Sequence, residues 1–314
     1  MSNSATPPLV TIVTPLYNGE RYIKATVESI LAQNYANIEY IVVNDGSTDS
    51  GREIAMAYGD RLRIIDQANA GQSAALNRGW SEARGKYITY VSADDLIDPE
   101  CISMLVAHLE ADAGAVCAYP NYDLISAESN VITPHVGRPF SFEALVVEQD
   151  CYIGPAPLFR KSAFEAVGGW DVRLKLAPDR EFWMQISNLG AFVFEPRVLA
   201  GYRTHPGSMS VSAISEQNSL EYIYALDKFY ATGSINAETA ARRDEAYSRA
   251  YFVVARHRLK ENDFGKGFKY LQKSVSAWPG IISVSSFVAL TKAILPLRRW
   301  QSALYKLLGQ RHEK

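Results

Sequence analysis

Short β-rich runs and amphipathic runs alternate over the first hundred residues, and this alternation limits the possible folds more than any other property of the chain. Strand patterns occupy residues 9–14, 38–43, 62–66 and 87–91. Helical spacing of apolar residues separates them at 20–32, 50–58 and 72–83. Strands and helices in this order build right-handed βαβ units and a mostly parallel sheet flanked by helices.

The pattern continues with a helix at 100–110, introduced by Pro99 in its first turn. Strands are expected at 115–119, 122–126, 131–133, 156–159, 192–194 and 198–203, and helices at 142–148, 161–167 and 179–189. Residues 134–139 and 204–212 read as loops. From about residue 215 the texture becomes nearly pure helix, at 216–230, 237–260, 264–277, 281–294 and 298–308. Asn262-Asp263 and Trp278-Pro279-Gly280 punctuate these helices. Residues 255–279 form one hairpin of tetratricopeptide type, too little for a repeat array. Two domains follow: an α/β domain over 1–213 and an all-helical C-terminal extension over 214–314.

Composition places the chain among ordinary globular proteins, with 47% apolar and 21% charged residues. Cys101, Cys117 and Cys151 are odd in number and lack metal-ligand spacing, so they read as buried thiols in a reducing cytosol. The first eight residues carry no apolar core of a signal peptide. No run reaches the roughly 18 to 20 apolar residues of a membrane span. The nearest, 280–297, is interrupted by serines, Lys292 and Pro296. Charge is uneven: residues 251–314 hold 12 Lys and Arg against three Asp and Glu, while the whole chain carries −2. A basic appendage on an acidic body fits attraction to anionic head groups or a phosphorylated acceptor, and equally a solvated helical face.

Chemistry concentrates where strands end. The fourth strand stops in Asp94-Asp95. In an open α/β sheet the carboxyl ends of strands line the ligand crevice. Adjacent carboxylates repel, so a cation is needed there, and a divalent metal carrying a diphosphate is the natural one. The first strand ends in Thr14-Pro15-Leu16-Tyr17-Asn18-Gly19-Glu20, where Tyr17 offers a flat ring to a nucleobase or ribose. The second ends in Asn44-Asp45-Gly46-Ser47-Thr48-Asp49, a tight turn with Asp49 or Ser50 at the next helix start and Asp45 placed to accept from a base or ribose. After the third, Gly71 opens a helix and lets a ligand approach closely. The glycine spacing is not that of a dinucleotide fingerprint, and no Walker lysine follows.

In this order the pieces resemble the family 2 glycosyltransferases, whose fold is GT-A, a nucleotide-sugar-binding α/β fold. The similarity runs through residues 11–19, 41–49 and 85–95, then Val167-Gly168-Gly169-Trp170-Asp171, Pro178-Asp179-Arg180-Glu181-Phe182-Trp183 and Tyr202-Arg203-Thr204-His205-Pro206-Gly207-Ser208. It covers about residues 8–212. The resemblance implies an inverting transfer of a sugar from a nucleotide-diphosphate sugar, a UDP-sugar first, to a hydroxyl of a glycan or lipid-linked glycan. By position, Thr14, Pro15, Tyr17, Glu20, Asp45 and Gly71 fall on the nucleotide side. Asp94 matches the last acid of the metal-binding element for Mg²⁺ or Mn²⁺, with Ser92 where the first acid usually stands. Asp95 would orient the sugar or its loop. His205 matches a metal ligand or a donor to the leaving group, and Ser208 and Ser210 a flap over the donor.

Asp179 matches the catalytic base, with Pro178 in place of the usual glutamate; an acid at a helix start is also an ordinary N-terminal residue. Trp170 and Asp171 match the acceptor side, and also read as a packed turn. Phe182 and Trp183 read as core. A sugar nucleotidyltransferase and a non-catalytic glycan- or nucleotide-binding module are the rival readings. The first wants a glycine-rich basic loop where residues 16–21 have one glycine. The second draws on the departures at Ser92 and Pro178. No nucleic-acid partner is expected. The expected location is the cytoplasm, with peripheral membrane contact through the basic C-terminal helices.

Overall fold

The computed structural model describes residues 6–208, 214–232, 235 and 237–294. Ser210, the expected helix at 298–308 and the expected boundary at residue 213 lie outside these residues. The chain divides into two compact units, residues 1–142 with 151–212, and residues 143–150 with 213–314.

The first unit is an α/β body. In chain order it contains β1 (Val10–Leu16), α1 (Ile23–Leu31), β2 (Ile38–Asp45), α2 (Gly51–Met56), β3 (Arg63–Gln67), α3 (Gln72–Ser81), β4 (Tyr87–Tyr90), β5 (Leu96–Ile97), α4 (Cys101–Ala111), β6 (Ala115–Ile125), β7 (Val131–Thr133), β8 (Leu158–Arg160), α5 (Lys161–Val167), α6 (Pro178–Ile186) and β9 (Ala191–Arg203). Among the described residues these strands form one sheet in the order β3-β2-β1-β4-β8-β6-β9-β5, with β7 on β6. The β3-β2-β1-β4 half is parallel. Helices cover both faces of its central strands, so every residue of β1 and all but Ile38 of β2 are buried, while the edge strand β3 stays largely open. Beyond β4 the sheet turns mixed, with β8 antiparallel to β4 and to β6, and β6 parallel to β9.

One face packs Val10, Ile12 and Leu16 against Ile23, Val27 and Ile30 of α1 and Ile102 and Leu105 of α4. On the other, Gly79 of α3 lies so close to β1 that an added Cβ would stand 2.4 Å from Val13 Cγ1. Next to it, Trp80 meets Phe159, Phe164 and Trp170 edge-to-face and stacks on Phe182. Phe182 and Trp183 are fully buried, as expected of core.

Two pairs of expected strands are single ones. Residues 115–119 and 122–126 are continuous in β6, and 192–194 and 198–203 in β9. Pro120 and Pro196 fall in the gaps between those expected strands, and register shifts around residues 120–122 accommodate their missing N–H groups. The helix expected at 142–148 is a five-residue π-helical turn, Ala144–Glu148, grouped with the second unit. Its consecutive side chains Ala144, Leu145, Val146 and Val147 are all buried.

Among the described residues the rest of the second unit is mainly helical. It holds α7 (Glu216–Ser219), α8 (Glu221–Ala231), α9 (Ala237–Ala241), α10 (Arg243–Lys260), α11 (Phe264–Ala277) and α12 (Val284–Ile294). The helix expected over 216–230 breaks near Leu220, and that over 237–260 near Arg242. α10 and α11 pair as a hairpin around Val254, Ala255 and Tyr270, with the hydroxyls of Ser248 and Ser274 joined across it at 3.2 Å. No helix among the described residues is long and apolar enough to cross a membrane.

Candidate active site

The turns that end β1, β2 and β3 are tied to one another by their own polar side chains. Asn18 has φ +50° and receives the Thr48 N–H on Oδ1 at 2.8 Å. The Glu20 N–H donates to Asp49 Oδ2 at 2.8 Å, and Asp49 Oδ1 accepts the Gly51 N–H at 3.0 Å. Asp49 is therefore the side chain that caps the helix start. Asp45 is 2% exposed. Its Oδ1 accepts from Gln67 Nε2 at 2.7 Å and from the Ala70 N–H at 2.8 Å, and its Oδ2 accepts the Gly71 N–H at 2.8 Å. Gly71 enters α3 at φ 90°, ψ 163°, a region open essentially to glycine alone.

These turns wall a cavity of about 780 Å³, lined by Pro15, Tyr17, Asp45, Gly71, Asp94 and His205 among others. Tyr17 presents its ring there, 54% exposed. A second cavity of about 410 Å³ is lined by Asp94, Asp95, Trp170, Asp179 and the rings of Tyr90, Tyr122 and Tyr202. Gln72, Asp94 and Ser208 stand in both walls. Asp45 and Asp94 thus share the larger cavity, and Asp94 and Asp179 the smaller.

Three expected residues are elsewhere. Thr14 is fully buried, its Oγ1 accepting from the Tyr40 hydroxyl at 3.1 Å, because alternation along β1 turns it into the core. Glu20 binds Ser50 Oγ at 2.5 Å and the Ser50 N–H at 3.1 Å, and lines neither cavity. Asp171 is held by Arg173 at 2.6 Å and also lines neither.

Two acids of the smaller cavity, Asp95 and Asp179, are raised by burial. Burial raises Asp95 well above the usual carboxylate range, and the neighbouring Asp94 charge adds to the rise; the Arg203 N–H, its charge and the Ser92 hydroxyl oppose it. Asp179 lies in the first turn of α6, behind Pro178. Its carboxyl is also raised by burial, partly offset by hydrogen bonds from the Arg180 and Asp179 N–H groups and by the Arg180 charge. The helix start therefore does not dominate its titration, contrary to the usual expectation for an N-terminal acid.

Arg203, 2% exposed, organises the Asp94-Asp95 corner. Its N–H donates to Asp95 Oδ1 at 2.9 Å, its Nε to the Asp94 carbonyl at 2.7 Å, and its Nη1 to the Ser126 and Ala127 carbonyls at 2.9 and 3.0 Å. Its guanidinium lies 4.9 Å from the centre of the Tyr22 ring, and the His205 ring lies 4.8 Å from the same ring. The sequence placed Arg203 in a motif but gave it no role; its one available signal was a charged residue closing a largely apolar strand. Tyr22, Tyr90, Tyr122 and Tyr202 carried no sequence signal separating them from core aromatics.

Residues 11–168 match the family "Glycosyl transferase family 2". The chain belongs to glycosyl transferase family 2. This glycosyltransferase is 31% identical over 234 residues to an uncharacterized glycosyltransferase of Rickettsia prowazekii, a match covering 72% of this chain and 73% of that protein. Among solved structures it resembles a mannosyltransferase of Pyrobaculum calidifontis in complex with GDP-Man and Mn²⁺, with TM-score 0.62 and 18% identity over 94% of this chain and 83% of that one. It also resembles residues 1–349 of TarS of S. aureus in complex with UDP-GlcNAc, with TM-score 0.59 and 15% identity over 87% and 92% of the two chains. The fold is GT-A.

For a divalent cation the glycosyltransferase offers a sparse donor set. Among the described residues no three His, Cys, Asp or Glu side chains gather as a metal cluster. Asp94 and His205 stand together in the wall of the larger cavity, Oδ2 to Nε2 at 3.0 Å. The Gly207 N–H donates to His205 Nδ1 at 3.2 Å, so Nε2 is the nitrogen that carries the proton toward Asp94. Few protein ligands suit Mg²⁺, which keeps waters and takes substrate phosphates beside one or two carboxylates. The buried Tyr22 hydroxyl lacks a hydrogen-bond partner among the described residues and belongs to a side chain of the same wall.

Proposed function

We propose that the protein is an inverting, metal-dependent glycosyltransferase that moves a sugar from a nucleotide-diphosphate sugar to a hydroxyl of a glycan or lipid-linked glycan. The observation that carries this reading is Asp94 standing in the wall shared by two cavities, with Asp45 lining one and Asp179 the other. The larger cavity takes the nucleotide against Pro15, Tyr17 and Gly71. The smaller takes the acceptor, whose sugar faces stack on Tyr90, Tyr122, Trp170 and Tyr202.

Asp179 removes the proton of the attacking hydroxyl. A base works best when its pKa lies close to the working pH, and burial moves Asp179 in that direction. Asp94 would hold Mg²⁺ or Mn²⁺, and such an ion, when bound, would supply positive charge that offsets the departing nucleotide. His205, protonated at Nε2, holds the Asp94 carboxylate; ligating the ion itself requires that proton to move to Nδ1, with loss of the Gly207 bond. Asp95, kept by Arg203, shapes the floor beneath the transferred sugar. Ser92 donates to Asp95 and so serves that floor in place of the family's first acid. An α-linked donor then yields a β-linked product.

UDP-GlcNAc and GDP-Man stand in the names of the two structural neighbours, and a UDP-sugar is the first donor to test. A cytoplasmic location fits a nucleotide-sugar donor. The test is a thermal-shift panel of nucleoside diphosphates with and without Mn²⁺, followed by donor turnover in the parent, Asp94→Ala and Asp179→Asn proteins. Metal-dependent stabilisation by one nucleotide, with turnover lost in both variants, supports the reading. Binding without turnover in the parent makes the protein a non-catalytic module.

A further inference from the structure

One helix serves both cavities. α3 begins at Gln72, which stands in both walls, and its next turns reach the segment that carries Asp179. Asn77 of α3 clamps the backbone of Trp170: its Oδ1 accepts the Trp170 N–H at 2.9 Å, and its Nδ2 donates to the Trp170 carbonyl at 2.7 Å. A side-chain amide offers an acceptor and a donor on one flat group, so it answers both polar groups of a single residue. Trp170 is 4% exposed and lies outside any helix or strand, so its N–H and C=O need partners from elsewhere.

The fit is close. A Cβ added to Gly169 would stand 2.4 Å from Asn77 Oδ1. One turn earlier on α3, Ser73 Oγ donates to the Leu174 carbonyl at 3.3 Å. The Trp170 ring is held as well, edge-to-face with Trp80 at 5.8 Å and with Tyr90 at 5.2 Å. Residues 170–179 supply Trp170, Lys175, Leu176, Pro178 and Asp179 to the wall of the smaller cavity. This segment is therefore pinned to α3 at two points, residues 170 and 174, before it enters α6. Asn77 itself lines neither cavity.

We propose that Asn77 is a positioning residue for the transfer. Acting through Trp170, it fixes the wall of the smaller cavity and the approach to α6, and with them the place of the Asp179 carboxyl. This deepens the proposed function and rests on the roles given there to Trp170 and Asp179. A displacement of about 1 Å at reacting groups costs about 10²-fold in rate, which is the scale on which such a clamp acts.

The test compares three variants. Asn77→Leu removes both hydrogen bonds, Gly169→Ala drives a Cβ against the same amide, and Arg78→Ala breaks only the exposed pair with Glu82 on the same helix. Three quantities are read: release of nucleoside diphosphate from UDP-GlcNAc and from GDP-Man, the thermal shift induced by UDP and GDP with Mn²⁺, and the indole ¹⁵N–¹H signals, with that of Trp170 assigned by Trp170→Phe. Asn77→Leu should lower turnover at least tenfold, keep the nucleotide-induced thermal shift of the parent, and displace the Trp170 signal while that of Trp183 stays. Gly169→Ala should do the same, and Arg78→Ala should match the parent throughout. Turnover within twofold of the parent in Asn77→Leu overturns the proposal. An equal loss in Arg78→Ala also overturns it and assigns the effect to helix stability. Where Asn77→Leu fails to fold, Gly169→Ala is read in its place; joint loss there of turnover, thermal shift and the Trp183 signal makes the amide a folding residue only and overturns the proposal too. A parent that binds a nucleotide but releases none from either donor counts against the transfer chemistry alone. The Trp170 signal then decides the clamp, displaced in support and unmoved against it.

Discussion

The larger cavity is walled by turns that follow consecutive parallel strands, and their polar side chains are spent on one another. Asp45 gives both oxygens to residues 67–71, and Asn18 and Asp49 fasten the first turn to the second. The smaller cavity is walled by residues far apart in the chain, from Tyr90 and Asp95 through Tyr122 to Asp179 and Tyr202. There Asp95 and Asp179 accept hydrogen bonds of their own, yet burial still raises both. Rigidity on one side and tuned acidity on the other suit a nucleotide that must be held and a hydroxyl that must be deprotonated. The prediction is that substitutions on the first side lower stability and donor affinity together, and those on the second side lower turnover with no loss of stability.

The largest effect is expected at Asp179. Asp179→Asn should lower the turnover rate by about 10²–10⁴-fold, the range for loss of a general base. The nucleotide-induced thermal shift should stay as in the parent. A lost thermal shift would merge the two sides. The pH profile follows from the same residue. Its folded-state pKa is raised, so on acidification transfer should fail at a pH above the ordinary aspartate value of roughly 3.9. Stability runs in the opposite sense: a carboxyl raised on folding stabilises the folded state at low pH and loses that contribution as pH rises through the folded value. Asp179→Asn should therefore hold or raise the melting temperature at neutral pH while abolishing transfer.

Asp45→Ala should act on both properties, because it strips partners from Gln67 and two backbone N–H groups. Unsatisfied buried groups cost about 1–3 kcal/mol, and donor affinity should fall with the loosened turn; urea unfolding and nucleotide titration measure the two. Gly71→Ala comes next, since a residue other than glycine at its dihedral angles costs on the order of 1–3 kcal/mol. No atom crowds the site of the new Cβ, so backbone strain alone is tested. Glu20→Gln should do least: its partner Ser50 lies outside both cavities, and transfer rate and donor affinity should match the parent. A tenfold loss there would restore Glu20 to the donor site.

Legibility followed the same division. Turn composition after each strand made Pro15, Tyr17, Asp45 and Gly71 readable, since local rules of turns and helix starts act over a few residues. Thr14 and Glu20 were misplaced because a motif names a stretch without saying which side chains face the ligand. Strand alternation buries Thr14, and a hydrogen bond across two turns claims Glu20. On the other side Asp179 was readable by position, but its raised acidity was not. Arg203 had no role assigned from the sequence, and among the described residues it is one of the largest buried side chains. The merged strands β6 and β9 show the same limit, with Pro120 and Pro196 tolerated through register shifts set by the partner strand.

Hydrophobic periodicity and turn chemistry are short-range, and by themselves they determined the alternating elements, the parallel half of the sheet and the acids at its strand ends. Burial and the meeting of residues a hundred positions apart are decided only when the chain closes. Tertiary structure therefore chose which acids face a cavity, how far burial raises Asp95 and Asp179, and that Arg203 and Tyr22 hold the corner where Asp94 stands.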